Sequence, residues 1–192
     1  MKRVGILSLQ GDFEAHGRAL QREGVTPVYV RNREDLEGLD GLIIPGGEST
    51  TMLKLMDYED LLRPIREFGR KTPMFGTCAG AILMASEVSN PAQESLSLMN
   101  IAVERNAYGR QIDSRVAQIE PDADFQQRTA PGKLPAVFIR APIIRDVGVE
   151  ARVLARYNGD PVLVEQGRHL VATFHPELTD DSRVHRYFLE KL

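Results

Sequence analysis

Cys78 is the single cysteine of the chain and stands in Pro73-Met74-Phe75-Gly76-Thr77-Cys78-Ala79-Gly80-Ala81, where a short apolar run passes into a helical pattern. A nucleophile fits such a junction. A tight strand-to-helix turn holds its residue in a strained backbone conformation with the side chain exposed, and small neighbours are needed because the chain passes close to itself. Gly76 and Gly80 supply that room. The helix predicted over residues 79–86 points its N-terminal N–H groups and the positive end of its dipole at the sulfur, which favours the reactive thiolate. The competing reading is a buried structural thiol, since free cysteine is among the most often buried residue types.

A cysteine nucleophile needs a base, and the histidines on offer are His16, His169, His175 and His185. His175 closes the apolar run Leu170-Val171-Ala172-Thr173-Phe174 and is followed by Pro176 and Glu177. Residues two apart on an extended segment project the same way, so Glu177 can accept a hydrogen bond from one imidazole nitrogen while the other faces the sulfur. His16 and His185 fall within amphipathic helical stretches and read as surface or packing residues. His169 shares strand parity with His175 but has no orienting acid. A zinc site is the other sharp reading of Cys78 with histidines; the absence of Cys-x-x-Cys and His-Glu-x-x-His argues against it.

Attack on a carbonyl also requires donors for the oxyanion. The N–H of Ala79, just past the nucleophile, is one candidate, and a backbone N–H in Gly46-Gly47 is the other. Taken alone, Gly46-Gly47-Glu48-Ser49-Thr50 reads as a plain turn with Ser49 or Thr50 capping a helix. A phosphate-cradling loop fits less well, since no Gly-Lys-Ser/Thr follows.

Positioning these groups falls to alternating strands and helices. Strands are predicted over residues 4–9, 25–30 and 42–44, and helices over 12–23, 49–58 and 60–70, from apolar periodicity and from Gly24 as a helix stop. Such alternation means a parallel sheet with helices on both faces, whose strand carboxyl ends line one crevice shared by Gly46-Gly47 and Cys78. After residue 86 the pattern turns to short β-rich segments at 101–104, 115–119, 136–139, 152–157, 162–166 and 169–174. Crossover helices are missing there, so antiparallel pairing is expected for part of this half. Asn158-Gly159 and Gln166-Gly167-Arg168 are hairpin turns, residues 121–135 read as a surface loop, and a last helix starts from Asp180 or Asp181 with Val184, Tyr187, Phe188 and Leu192 inward. The fold class expected is α/β: three layers, doubly wound, with a flavodoxin-like mixed sheet.

The 192 residues fit a single domain, and 24 basic against 27 acidic side chains, without a long run of either sign, indicate neither a nucleic-acid nor a membrane partner. Polar Gln10-Gly11-Asp12 ends the first apolar run well short of a signal peptide or a membrane span. A lone cysteine forms no intrachain disulfide, in keeping with a reducing cytoplasm.

Phe75-Gly76-Thr77-Cys78-Ala79-Gly80 together with Phe174-His175-Pro176-Glu177-Leu178 resembles the class I, triad-type glutamine amidotransferases. Five further blocks narrow the resemblance: residues 9–13, 45–51, 103–111, 138–142 and 175–181, which include Leu9-Gln10-Gly11-Asp12-Phe13 and Phe138-Ile139-Arg140-Ala141-Pro142, look like the glutaminase subunits of pyridoxal 5′-phosphate synthase. They span nearly the whole chain in family order, with no departure at a motif position.

The resemblance implies a Cys78, His175 and Glu177 triad that hydrolyses L-glutamine to glutamate and ammonia. It implies a glutamine site bordered by Gly46, Gly47, Glu48, Arg105, Ile139 and Arg140, with Gly47 and Ala79 as oxyanion donors. It also implies a hetero-oligomeric partner, a pyridoxal 5′-phosphate synthase subunit that receives the ammonia, and no cofactor or metal on this chain. Glutamine carries an α-carboxylate and an α-ammonium, which a guanidinium and a carboxylate complement, so Arg105 is assigned to the first and Glu48 to the second. Gln10 is placed at the sheet's carboxyl edge without an assigned role. The rivals are an amidotransferase subunit of another pathway, against which residues 104–111 speak, a catalytically idle module, against which the intact triad speaks, and a cysteine peptidase.

Overall fold

In the central strands, neighbouring apolar residues face opposite ways, so a sheet built from them carries two hydrophobic faces. The computed structural model describes residues 2–107 and 114–192. Its first half runs β1 (Val4–Leu7), α1 (Phe13–Arg22), β2 (Pro27–Val30), β3 (Gly41–Ile44), α2 (Ser49–Tyr58), α3 (Leu62–Gly69), β4 (Met74–Thr77) and α4 (Ala79–Met84). The second half runs β5 (Ala85–Ser89), β6 (Met99–Glu104), β7 (Ser114–Ile119), α5 (Ala123–Arg128), β8 (Leu134–Ile139), β9 (Ile143–Val147), β10 (Arg152–Tyr157), β11 (Asp160–Gln166), β12 (His169–Ala172) and α6 (Arg183–Leu189).

The main sheet has the order β10-β11-β12-β4-β3-β1-β2. Strands β2, β1, β3, β4 and β12 are parallel, and the hairpin partners β11 and β10 extend the sheet antiparallel. On one face Ile6, Ile43 and Phe75 pack against Leu20 of α1 and Val184 and Phe188 of α6. On the other, Leu7, Leu42, Ile44 and Met74 meet Met52, Met56, Ile65 and Leu83 of α2, α3 and α4. Each such buried side chain stabilises the fold by roughly 1.5–3 kcal/mol. The result is a mixed sheet flanked by helices. No helix among the described residues is long and apolar enough to cross a membrane.

Four expectations need correction. The helix after Cys78 stops at Met84, because Ala85 turns extended (φ −66°, ψ 151°) and begins a strand that pairs with β6. That β5–β6 pair is parallel without a crossover helix, and β9, which pairs antiparallel with β6, went unpredicted. Residues 121–135 hold more than a loop: the Asp122 carboxylate caps α5, whose Phe125 is wholly buried and stacks on Tyr187 at 4.9 Å. Ser182, not Asp180 or Asp181, is the N-cap of α6; Asp181 instead accepts a hydrogen bond from the Arg183 N–H at 3.0 Å and pairs with its guanidinium. Asn158 and Gly159 both take positive φ (50° and 88°) between Tyr157 and Asp160, as a two-residue hairpin turn requires.

Candidate active site

Strand β4 ends at Thr77, and Cys78 takes φ 50°, ψ −105° before α4 begins. A non-glycine residue in that region stores about 1–3 kcal/mol of strain and persists only where its surroundings hold it. Here the Cys78 N–H donates to the Ala172 carbonyl of β12 at 2.8 Å. A Cβ on Gly80 would come within 2.1 Å of the Ile44 carbonyl oxygen, and one on Gly76 within 2.5 Å of the Gly80 oxygen, so the turn closes only over glycine at both places. The thiol faces the Ile139 carbonyl at 3.9 Å.

His175 leaves β12 three residues after its end, and its N–H donates to the Val137 carbonyl of β8 at 2.8 Å. The segment after it does not stay extended. Pro176–Leu178 forms one 3₁₀ turn, which places Glu177 Oε1 2.6 Å from His175 Nδ1 with both side chains buried. Burial alone pulls the imidazole down, but interactions with Cys78 and Glu177 override it and push its pKa up to about 10. Burial raises the Glu177 carboxyl, and His175 counters part of that rise.

Cys78 and His175 line a cavity of about 310 Å³, with Glu177 behind His175; Gly47, Ala79, Ile139 and Arg140 also line it. Gly46 lies at its edge, where a Cβ would come within 2.4 Å of His175 Cε1. The Gly46 carbonyl accepts from the Asp12 N–H at 3.0 Å, and the Glu48 N–H donates to Gln10 Oε1 at 3.0 Å. Gln10 thus ties the glycine pair to the end of β1. Across the cavity the Arg105 guanidinium donates to Thr50 Oγ1 at 2.7 Å and lies 3.5 Å from Glu48 Oε1. Glu48 is itself the cap of α2, accepting from the Thr50 and Thr51 N–H groups at 3.2 and 2.7 Å. Its partial burial would raise the carboxyl, but these bonds outweigh it and hold the pKa below the usual value.

Cys78, His175, Glu177 and the residues assigned to the glutamine site therefore reach one cavity or its immediate backing; residues 108–111 of the 103–111 block lie outside the described residues. His169 stays away, buried with Nδ1 accepting from the Met74 N–H at 3.2 Å. Asp12 and Asn106 line the cavity unforeseen, Asp12 Oδ2 standing 3.7 Å from His175 Nδ1. Asp12, His175 and Glu177 bring donor atoms within 4.8 Å of one another, the spacing of a metal site, but His175 Nδ1 is already spent on Glu177. His16 and His185 are wholly buried directly behind Glu177. The four-residue spacing of Asp12, at the cap of α1, and His16 puts the two on one side of that helix, a signal for Asp12 once His16 is placed but none for His185.

The model of the SNO glutamine amidotransferase family matches residues 6–192. The chain is 70% identical over 192 residues, all of both chains, to a pyridoxal 5′-phosphate synthase subunit PdxT of Solibacter usitatus. It is 49% identical to the PdxT subunit of Koribacter versatilis, over 98% of this chain and 94% of that one. A crystal structure of a glutamine amidotransferase superposes with a TM-score of 0.89 at 46% identity, covering 98% of this chain and 97% of the other. PurLQS from Thermotoga maritima shares the fold, with a TM-score of 0.75 at 17% identity over 98% of each chain.

Proposed function

We propose, for a chain that belongs to the SNO glutamine amidotransferase family, the role its PdxT relatives carry in name: it is the glutaminase subunit of a pyridoxal 5′-phosphate synthase, hydrolysing L-glutamine and supplying ammonia to the synthase subunit for vitamin B6 synthesis. The observation that carries the reading is the 2.6 Å contact between His175 and Glu177 beside a cysteine on a strained elbow. We further propose a single glutaminase domain over residues 1–192 and a cytoplasmic location.

In this mechanism the Cys78 thiolate attacks the side-chain amide carbon of glutamine, and the oxyanion is met by the N–H groups of Ala79 and Gly47. The His175 imidazolium protonates the departing nitrogen, so ammonia leaves and a γ-glutamyl thioester remains on Cys78. His175 then takes a proton from water as it attacks the thioester, and glutamate and the free thiol are regenerated. Glu177 keeps the His175 proton on Nδ1 and offsets the imidazolium charge. Arg105 receives the substrate α-carboxylate and Glu48 the α-ammonium, with Ile139 and Arg140 bordering the substrate.

Docking of the synthase sets the oxyanion donor. Glycine permits a peptide to turn at low steric cost. In the free chain the Gly46 carbonyl is held by the Asp12 N–H, so turning the Gly46–Gly47 peptide breaks a hydrogen bond that the partner must replace. One oxyanion donor is worth about 10²–10³ in kcat. Glutamate release by the purified chain, alone and with saturating synthase subunit, tests both claims. The expected result is weak activity alone and a rise of that order in the complex. No release of glutamate from glutamine in either state refutes the function, and equal activity in both refutes the gating.

A further inference from the structure

Behind Glu177 lies a chain of polar groups at the seam between α1, α6 and the sheet, a place where leucine or phenylalanine would ordinarily pack. His16 Nε2 is 3.0 Å from Thr77 Oγ1 and 3.6 Å from Glu177 Oε2, and His16 Nδ1 is 2.9 Å from His185 Nε2. Burying two imidazoles is costly unless their hydrogen bonds are made. Glu177 Oε2 makes no hydrogen bond, and the His185 nitrogen that faces away, Nδ1, is likewise buried with no partner among the described residues.

That orphan fixes the direction of the chain. A buried N–H without an acceptor is rarer than an unused acceptor lone pair, so His185 carries its proton on Nε2 and donates to His16 Nδ1. His16 must then carry its own proton on Nε2, the nitrogen that faces Thr77 and the second oxygen of Glu177. We propose that His16, oriented by His185, is a positioning residue for glutamine hydrolysis: its Nε2–H, hydrogen-bonded to Thr77 Oγ1, sets a positive dipole 3.6 Å from the otherwise unpartnered Glu177 Oε2 and so steadies the carboxylate with its other oxygen aimed at His175 Nδ1. This rests on the triad proposed above.

Electrostatics agree with that geometry. Burial, reinforced by His185 and His175, keeps the pKa of His16 well below its usual value, and burial holds that of His185 down at about 4. Both are therefore neutral donors near neutral pH. A neutral N–H dipole suits the place, because a cation there would compete with His175 for the carboxylate, whereas an apolar side chain there would leave Glu177 closer to its protonated form. The groups that bear on this carboxylate are Asp12 at the cap of α1, His16 from α1 and His175 on its own segment; Cys78 acts on His175, and Thr77 of β4 and His185 of α6 act on His16, with His185 itself flanked by Arg22 and Glu23.

The test uses glutaminase assays of the chain with its synthase partner, in wild type, His16→Leu, His16→Gln and His185→Leu, each checked for folding by thermal melting. Leucine keeps the volume and removes the donor, while glutamine restores an N–H near the Nε2 position. His16→Leu should lower kcat roughly 10- to 100-fold, as loss of the outer partners that orient metal-bound histidines does. The KM for glutamine should stay within about twofold, because substrate contacts are untouched. The acid limb of kcat/KM should move to higher pH, since a buried carboxylate that loses a favourably oriented N–H dipole takes up its proton sooner. His16→Gln should recover most of both changes, and His185→Leu should shift the same limb less. In a Glu177→Gln background the further loss from His16→Leu should shrink to less than about twofold, because the two act through one carboxylate. Full additivity in that background, or a wild-type pH profile in His16→Leu, overturns the proposal. Should His16→Leu fail to fold, His185→Leu with an unshifted acid limb does the same. Absence of glutamine hydrolysis in the wild-type complex would instead refute the function itself.

Discussion

His175 and Glu177 leave 4% and 0% of their side chains to solvent, whereas across the same cavity Glu48 leaves 54% and Arg105 11%. The first wall is fixed through the main chain: the Cys78 N–H is bonded to β12 of the main sheet and the His175 N–H to β8 of the two-stranded β7–β8 sheet. The second wall is fixed through side chains, with Arg105 and Glu48 3.5 Å apart and each also bonded to the first turn of α2. Proton transfer tolerates little misplacement and benefits from preorganised groups out of water. Recognition of a zwitterion asks for charges that can exchange partners, and the 3.5 Å Arg105–Glu48 contact, with its carboxylate half exposed, can give way to a ligand's carboxylate and ammonium.

Cys78→Ala should separate the two walls most completely. It should abolish steady-state glutamine hydrolysis while leaving the fold and much of the glutamine binding intact, since the covalent step needs the sulfur and the binding wall does not. Calorimetric binding of glutamine by the mutant, beside glutamate release, checks both halves. Residual turnover in a clean preparation would remove Cys78 as nucleophile.

Titration should separate buried histidines that carry charge from those that do not. His169 and His185 are held neutral, both with pKa values lowered from 6.5 to about 4, chiefly by burial. Below pH 6.5 the unfolded chain binds protons that the native one refuses, so stability falls as pH drops from about 6.5 toward 4, by about 3 kcal/mol at most for each. His175, raised to about 10, works the other way: its contribution is complete below 6.5 and is lost as pH rises toward 10. Melting temperature against pH should therefore peak between these windows, and His169→Gln should flatten the acid side while leaving the alkaline side unchanged. A histidine that titrates near 6.5 in the native protein by NMR would contradict its assigned burial.

On the binding wall, Arg105→Ala should weaken glutamine binding through loss of a charge-assisted contact of roughly 1.5–3 kcal/mol, one to two orders of magnitude in affinity. Lysine should restore only part, because it cannot form the planar bidentate pair. An unchanged KM, measured where it reflects binding, moves Arg105 out of the substrate site.

The two walls were also unequally legible in the sequence. The elbow could be read because its determinants, Gly76, Cys78 and Gly80, are local, and His175 with Glu177 because two residues separate acid from base, even though the segment forms a 3₁₀ turn and not a strand. His16 and His185 could not, since 169 positions separate them and each looks like one polar residue in an amphipathic helix. Helix α5 was missed for a related reason: a single buried aromatic, Phe125, gives no periodicity, and its partner Tyr187 belongs to the last helix. The β5–β6 pair defeated the rule that parallel neighbours need a crossover helix. Gln10, placed without a role, proves to hold the Glu48 N–H, a long-range contact that local spacing does not encode.

Glu48 serves two structures at once, since its carboxylate caps α2 while its other side faces Arg105. Its backbone is already extended (φ −108°, ψ 115°), the conformation a cap requires. Glu48→Ser should keep the cap and lose the charge, whereas Glu48→Ala loses both. The alanine variant should be about 1 kcal/mol less stable than the serine variant, a difference of about 2–4 °C in Tm for a chain of this size. Both should weaken glutamine binding alike if the carboxylate meets the substrate ammonium. Serine restoring both stability and KM would mean that Glu48 serves the cavity only by holding the start of α2, and the binding wall would then rest on Arg105 alone.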